Sequence, residues 1–246
     1  MGRVEIWGLL RLTPGFHRPL VWLFILLLLG CGSSAPPTAQ PTPDAHALLH
    51  KAASRMMALE SLAFVLEHQA GSTELFRGVE MTRAVGVVDI PDNFSLTVEA
   101  QTAQPRAYLE FSAISVGGRA YMTDVFTGRW RQVNVESLPV NLGRLGETLA
   151  DIVAVVESPQ AVGTEFLAGH KTVVIKGRIK SQQLSGLVPG AAQGYSVGLD
   201  LWVEESQGLV VQVLITGQVM SADVPEAARL LTFDAFDAPV DIAPPE

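Results

Sequence analysis

The amino-acid sequence predicts an α+β fold in which a long antiparallel meander of strands follows one N-terminal helix. Apolar and polar residues alternate through most of the chain, and Gly, Pro, Asp and Asn separate the alternating segments. Helical spacing is confined to one stretch near the start and to shorter inserts. A long row of antiparallel strands protects its edges by closing or curling, and a large curled sheet can enclose a cavity.

The first 30 residues have the features of an export signal. Arg3, Arg11 and Arg18 make this leader basic, and Leu20–Gly30 is an uninterrupted apolar run of 11 residues. A membrane-spanning helix needs about 20 apolar residues, so the run fits the core of a signal peptide instead. We therefore predict that residues 1–30 are a cleaved signal peptide.

Cys31 is the single cysteine of the chain and directly follows the apolar run. The sequence Leu28-Leu29-Gly30-Cys31 resembles the lipobox of bacterial lipoproteins, in which the signal is cut before the cysteine and the thiol receives acyl chains such as palmitate. The alternatives are a buried structural cysteine and a chance thiol in an uncleaved anchor. Each buried methylene contributes about 0.8 kcal/mol, so two or three chains hold a protein on a membrane. With Cys31 used as the anchor, no thiol remains for a disulfide, a metal cluster or a nucleophile.

The charge of the chain bears on its partners. The formal charge is −8 at pH 7; without the leader, which holds three Arg and one Glu, 14 basic and 24 acidic residues remain, a charge of −10. An acidic chain with few aromatic residues disfavours nucleic acid and offers no polybasic surface for anionic lipid. We therefore expect the N-terminal lipid anchor to hold the protein on the membrane. The protein would face the extracytoplasmic side, in the cell envelope or periplasm.

A tether and a helix follow the anchor. Residues 31–43 are the lipidated cysteine and a segment of small and turn-forming residues that could reach about 35 Å at ~3 Å per residue. Asp44 is a suitable N-cap, and apolar residues at helical spacing predict an amphipathic helix over 45–60. Residues 44–246 are predicted to form a single domain.

The alternating segments after this helix predict successive strands. The first group covers 61–69, 78–91, 93–101, 106–116, 119–124 and 129–133, with turns at Pro91-Asp92-Asn93, Gly117-Gly118 and Thr127-Gly128. The mixed stretch 137–157 predicts one or two short helices and is our candidate for the gate of a cavity. The second group covers 161–169, 170–179, 195–205, 209–219 and 228–236. A short helix around 181–189 interrupts it, and residues 237–246 are a Pro-rich tail.

Several motifs in a fixed order give the chain a resemblance to a known family. They are GGRAYMTD…TGRW (117–130), GTEFLAGHKTVVIKG (163–177), LWVEESQGLV (201–210) and LTFDAFDAPVDIAPP (231–245), after the lipobox and the Pro-rich tether. This order resembles the LppX/LprG family of bacterial lipoproteins, also written LppX_LprAFG, across essentially the whole chain after the leader. None of these motifs is a catalytic signature.

The resemblance implies a fold and a function. Members of the family are similar in architecture to the lipoprotein carriers LolA and LolB, in which a strongly curved antiparallel sheet, a half-barrel, wraps helices around an apolar cavity. The implied role is to bind lipids or glycolipids in this cavity and to help transport them from the cytoplasmic membrane toward the outer envelope. An envelope export protein is a possible partner. The implied protein is not an enzyme, and it needs no cofactor and no metal.

Apolar residues at alternating positions are the candidates for lining a lipid cavity. Tyr121 and Trp130 are included because their rings could line such a cavity with the polar ends in water, although ordinary sheet packing explains them equally well. One sequence does not separate a lined cavity from a filled core. The candidates are Val85, Val87, Phe94, Leu96, Val98, Leu109, Phe111, Tyr121, Trp130, Val173, Ile175, Leu201, Val211, Val213 and Ile215.

Other function classes have weaker support. Gly194–Gly198 matches the G-x-S-x-G nucleophile elbow, but an alternating strand follows it and no His lies downstream of Ser196. His46 and His50 have a metal-binding spacing on the predicted helix, without an evident third ligand. The remaining alternative is the same half-barrel with a filled core, which would serve as a non-catalytic interaction or sensor module of the envelope.

Overall fold

The computed structural model describes residues 43–102, 104–138, 141–188 and 190–246. The predicted signal peptide, Cys31 and the tether up to residue 42 lie outside these described residues. From residue 43 onward the described chain lies within one compact unit. Within these ranges, no helix is long and apolar enough to cross a bilayer.

An antiparallel sheet of twelve strands dominates the structure. In chain order the strands are β1 (Ser61–Ala70), β2 (Thr73–Phe76), β3 (Val79–Asp89), β4 (Asn93–Thr102), β5 (Tyr108–Val116), β6 (Arg119–Thr123), β7 (Trp130–Val133), β8 (Glu157–Leu167), β9 (His170–Lys180), β10 (Ser196–Glu204), β11 (Val210–Thr216) and β12 (Ala228–Asp234).

The strand order explains how two meanders become one sheet. The order is β7-β6-β5-β4-β3-β1-β12-β11-β10-β9-β8, and β2 pairs only with β3, off this path. The last strand, β12, pairs with β1 on one side and with β11 on the other, so it joins the first group of strands to the second. β7 and β8 are the two ends of the path, which leaves a curved sheet open. The predicted α+β fold with an open, curved sheet is confirmed.

In the described part of the chain, two α-helices and three short 3₁₀ turns accompany the sheet: α1 (Ala45–Met57), α2 (Leu145–Ala154), and turns at Val135–Ser137, Leu142–Arg144 and Ser181–Leu184. The carboxylate of Asp44 caps α1 by accepting hydrogen bonds from the backbone N–H groups of His46 and Ala47. α1 and α2 pack against each other, and α1 also contacts β8 and β10. Their apolar faces join one hydrophobic core with one face of the sheet, which we call the inner face.

Several boundaries differ from the sequence-based expectations. α1 ends at Met57 rather than at 60, β2 was not predicted, and β8 begins at Glu157 rather than at 161. β2 has only four residues and lies between Gly71 and Gly78, which both have positive φ. A strand of four residues is too short for alternation to be recognised in the sequence. β2 is defined as a strand by its pairing with β3.

Candidate functional site

An apolar cavity of about 210 Å³ lies against the inner face of the sheet. One wall is formed by cross-strand neighbours: Leu66 pairs with Ala84, and Ala84 pairs with Val98. A smaller cavity of about 50 Å³ shares six lining residues with it, namely Phe64, Leu66, Leu142, Leu187, Val188 and Arg229. We call the two together the sheet cavity.

The sheet cavity meets solvent at β2. Of the residues that line its larger part, only Glu74 and Leu75 are exposed, and both belong to β2. The stretch 137–157, the sequence-based candidate for a gate, contributes the buried residues Leu142 and Leu145 to the walls, and its role as a gate stays a prediction. The entrance to the cavity is therefore at the β2 strand, which pairs with a single neighbour.

Four of the predicted cavity residues line the sheet cavity. Leu96, Val98 and Phe111 line the larger part, and Ile215 lines the smaller part. Phe94 is buried and lines a separate hollow with Ser115 and Leu138. Leu109 lies opposite Ala100 in the pairing of β4 with β5, on the same face as Phe111 but outside the cavity lining.

Five other predicted residues belong to the packed core. Val173, Ile175, Leu201, Val211 and Val213 are at most 4% exposed and do not line the sheet cavity. They lie on strands β9, β10 and β11, and α1 contacts β10 directly. The inner face around these core residues is therefore packed, while the larger part of the sheet cavity lies against β1, β3, β4 and β5.

The remaining four predicted residues lie on the opposite face, so their assignment to the cavity is corrected. Val85 pairs with Thr97, one residue out of phase with the Ala84–Val98 pair on the inner face. Val87 shares the face of Val85. Tyr121 pairs with Ile114, and Trp130 pairs with Thr123, which shares the face of Tyr121. In β3 both alternating sets are apolar, so the sequence did not show which set points inward.

A buried polar cluster interrupts the apolar wall at Arg229. This residue and Asp223 form an ion pair in which both side chains are only 1% exposed, with Arg229 Nη2 donating to Asp223 Oδ1 at 2.6 Å. Arg229 Nε donates to Thr73 Oγ1 at 2.9 Å. The other carboxylate oxygen of Asp223 accepts from the backbone N–H groups of Val219 and Met220, each at 2.9 Å.

His68 extends this cluster toward β3. It lies opposite Arg229 in the pairing of β1 with β12, and its Nε2 is 2.9 Å from Thr73 Oγ1. Burial lowers the pKa of His68, and the nearby charge of Arg229 lowers it further; a contact with the carbonyl of Thr82 and the charge of Asp223 oppose the change. The uncharged imidazole is therefore the favoured form in the folded protein.

No role for Arg229, Thr73 or Asp223 was predicted from the sequence. One signal was present, because Arg229 shares its alternation with Leu231 and Phe233, two apolar residues of the same strand. An arginine in an otherwise apolar inner-face pattern marks a buried charge. His68 and Arg229 are far apart in the sequence, so their pairing is seen only in the tertiary structure.

The geometry does not support the two minor functional readings. Ser196 begins β10, which continues as a strand to Glu204, and its hydroxyl accepts a hydrogen bond from Arg178 Nε at 3.1 Å. A nucleophile elbow requires a strand that turns into a helix. His46 and His50 are exposed on α1, and the described part of the chain contains no cluster of three His, Cys, Asp or Glu side chains suited to a metal.

The open antiparallel sheet with an apolar cavity on its inner face defines a class of half-barrel proteins that have a hydrophobic interior site. The family described as LppX_LprAFG lipoprotein matches residues 44–242. The chain belongs to this family, which confirms the resemblance seen in the sequence. A search of curated proteins finds no sequence that matches the chain.

Solved structures support the fold independently. LprF from Mycobacterium bovis is similar with a TM-score of 0.64 and 19% identity, covering 83% of this chain and 98% of that one. The lipoprotein LppX from Mycobacterium tuberculosis is similar with a TM-score of 0.54 and 18% identity, covering 81% and 98%. A LolA superfamily protein, NE2245 from Nitrosomonas europaea, matches with a TM-score of 0.28 and 12% identity over 78% and 92%. At that last score the likeness supports no conclusion about the fold.

Proposed function

We propose that the protein binds the acyl chains of a lipid or glycolipid in the sheet cavity. The observation that carries this proposal is the composition of the cavity wall: its larger part is apolar except for Thr73, Glu74 and Arg229. Each methylene moved from water into such a site contributes ~0.8 kcal/mol, so ten methylenes contribute about 8 kcal/mol before the costs of binding. Family membership supports a lipoprotein of the cell envelope.

The size of the cavity sets a condition on this proposal. Ligand sites usually enclose about 300–1000 Å³, whereas the larger part of the sheet cavity encloses about 210 Å³. A two-chain lipid therefore requires the cavity to widen as it loads. Among the strands that line the larger part of the cavity, β2 is held by few backbone hydrogen bonds, since it has four residues and pairs only with β3. We propose that displacement of β2 opens the cavity.

We propose a carrier role for this site. A lipid that crosses the aqueous space between membranes must have its tails shielded from water, and a binding protein needs no catalytic group for that task. We propose that the protein is non-catalytic, is anchored to a membrane through acylated Cys31, faces the extracytoplasmic side, and helps move its lipid toward the outer envelope. An envelope export partner would receive the loaded protein.

Native mass spectrometry of residues 43–246, produced in a bacterium and purified without detergent, tests the binding step. We expect adducts with masses of about 600–1500 Da, the range of membrane lipids and small glycolipids with one to three chains, that organic extraction removes. The extracted material would identify the class of lipid. A protein that keeps its unliganded mass, and also takes up no lipid from added vesicles, would contradict the proposal.

The small volume also favours a second candidate function. In a filled interaction or sensor module, the inner face would serve only as a core, and the outer surface would bind another envelope protein. The lipid-uptake experiment separates the two candidates, because a filled module gains no mass from vesicles. In such a module, the packing seen around Val173, Ile175 and Leu201 would extend over the whole inner face.

A further inference from the structure

The guanidinium of Arg229 has one hydrogen-bonding group that the described residues do not use. Nε donates to Thr73 and Nη2 donates to Asp223, but the buried Nη1 has no hydrogen-bond partner among the residues that the structure describes. It is the one buried side-chain nitrogen or oxygen within those residues in this condition. A buried donor without an acceptor is unfavourable, so its presence favours an acceptor beyond the described residues, such as a bound ligand.

Arg229 also stands where a ligand would be. It lines both parts of the sheet cavity, between apolar side chains such as Leu66 and Val188. Its partner Thr73 is adjacent in sequence to Glu74 and Leu75, the two exposed residues at the entrance. The guanidinium is therefore hydrogen-bonded to the same strand that carries the two entrance residues.

The charges around Arg229 restrict what the acceptor can be. Asp223 already balances the guanidinium charge, and the lining residues of the sheet cavity include one other charged side chain, the anionic Glu74. A phosphate or carboxylate would bring an additional negative charge next to Asp223 and Glu74 with no second cation to compensate it. Burying an uncompensated charge is costly, so an uncharged oxygen is the favoured acceptor.

We propose that Arg229 is a ligand-binding residue whose Nη1 donates a hydrogen bond to the uncharged carbonyl oxygen of an acyl ester, at the junction between the acyl chain and the head of the bound lipid. The tail extends into the apolar cavity, and the head remains at the β2 entrance. Arg229 thereby fixes the depth at which the lipid sits and selects esters over ethers of equal chain length. This inference rests on the proposed lipid-binding function.

A competition between two uncharged probes tests the proposal on the domain without substitutions. Residues 43–246 are offered an equal mixture of a diacylglycerol and the dialkylglycerol ether with the same chains, and native mass spectrometry gives the ratio of the two complexes. The ether lacks the carbonyl acceptor and leaves Nη1 unpaired, so we expect the ester to be preferred roughly tenfold. Equal loading with both lipids would overturn the role of Arg229 while leaving lipid binding intact. Loading with neither would overturn the proposed function itself.

Two variants connect the preference to the guanidinium. Removal of Arg229 alone would strand the buried Asp223, so the paired variant Arg229→Met/Asp223→Asn is used; the amide oxygen that it introduces can still accept from the N–H groups of Val219 and Met220. We expect the ester and the ether to load equally in this variant. Arg83→Met is the matched control, because Arg83 binds Glu67 and Glu99 on the opposite face, and we expect it to keep the preference.

The remaining outcomes are also decisive. A preference that persists in the paired variant would overturn the proposal, since Nη1 would then not be its source. If the paired variant does not fold, the ester-to-ether ratio of the unmodified protein decides alone. A third probe, a diacylglycerol phosphate with the same acyl chains, tests the charge argument. If it loads in preference to the diacylglycerol, the assignment of an uncharged acceptor is overturned.

Discussion

Gly146 in α2 lies directly against the backbone of Met56 in α1. A Cβ placed on Gly146 would be 2.7 Å from the carbonyl oxygen of Met56 and 3.2 Å from the side chain of Ile90. The backbone oxygen cannot turn away as a flexible side chain could. The close contact between the two helices that cover the inner face therefore depends on the missing side chain at residue 146.

We expect Gly146→Ala to destabilise the protein by about 1–2 kcal/mol, because the added methyl group forces the helices apart. The higher helix propensity of Ala would favour the variant by ~1 kcal/mol, so a net loss isolates the contact. Urea unfolding measures the change. Gly163→Ala is the control, since a Cβ there would have no neighbour within 4 Å; equal stability of the two variants would contradict the prediction.

Filling the sheet cavity should reduce lipid binding. Ala84 is buried and lines the cavity between its cross-strand partners Leu66 and Val98. We expect Ala84→Leu to displace about two methylenes of a bound chain, each worth ~0.8 kcal/mol, and so to weaken lipid loading about tenfold. Titration with a single defined lipid, followed by native mass spectrometry, measures the loss.

The matched control for this variant is Ala63→Leu. Ala63 pairs with Val87 on the face opposite the cavity, so it adds the same side chain to a neighbouring strand without entering the site. We expect it to load lipid as the unmodified protein does. If both variants bind equally well, the lipid does not occupy the sheet cavity.

His68 should make the stability of the protein depend on pH in a defined window. Burial lowers its pKa in the folded protein from the usual value of 6.5, so below 6.5 the unfolded chain takes up a proton that the folded protein does not. The stability due to His68 is therefore complete above 6.5 and is lost as the pH falls through the folded pKa. We expect His68→Gln to lessen this loss, by at most ~1.4 kcal/mol per pH unit.

The measurement is the free energy of unfolding by urea at several pH values between 7 and 5. The other histidines are common to both proteins, so the difference between the two pH profiles belongs to His68. Identical slopes for the variant and the unmodified protein would show that the imidazole does not titrate differently in the folded state.

Cys31→Ser should release the protein from the membrane. The thiol is the attachment point of the predicted acyl anchor, and the described residues contain no helix long enough to span a bilayer. We expect the full-length protein to partition into the detergent phase of a phase-separation assay and the variant to move to the aqueous phase. Labelling with a radioactive or clickable palmitate provides the control, and membrane retention of an unlabelled variant would contradict the lipobox.

Much of the fold could be predicted because it is written in local patterns. The alternation in 93–101 and 195–205 predicted β4 and β10, and Asp44 with the spacing that follows it predicted the start of α1. Both patterns involve only residues that are close in the sequence, so they can be recognised without knowledge of the rest of the chain. The motif order likewise identified the family that matches residues 44–242.

The candidate site could be predicted only in part. Leu96, Val98 and Phe111 were identified from alternation, but Val85 and Val87 were placed on the wrong face because both faces of β3 carry apolar residues. The pattern shows that a strand has two faces and does not show which of them the helices cover. That choice is made by pairing with strands distant in the sequence.

The sequence alone determined the class of the protein: its α+β composition, its succession of antiparallel strands, its family, and the prediction of an anchor at Cys31. Only the tertiary structure decided where a cavity exists, since the inner face is packed around Val173, Ile175 and Leu201 but leaves a cavity against β1, β3, β4 and β5. It also brought together His68, Thr73, Asp223 and Arg229. The physical reason is that alternation is a property of neighbouring residues, whereas burial and ion pairing depend on strands that meet only after β12 has closed against β1.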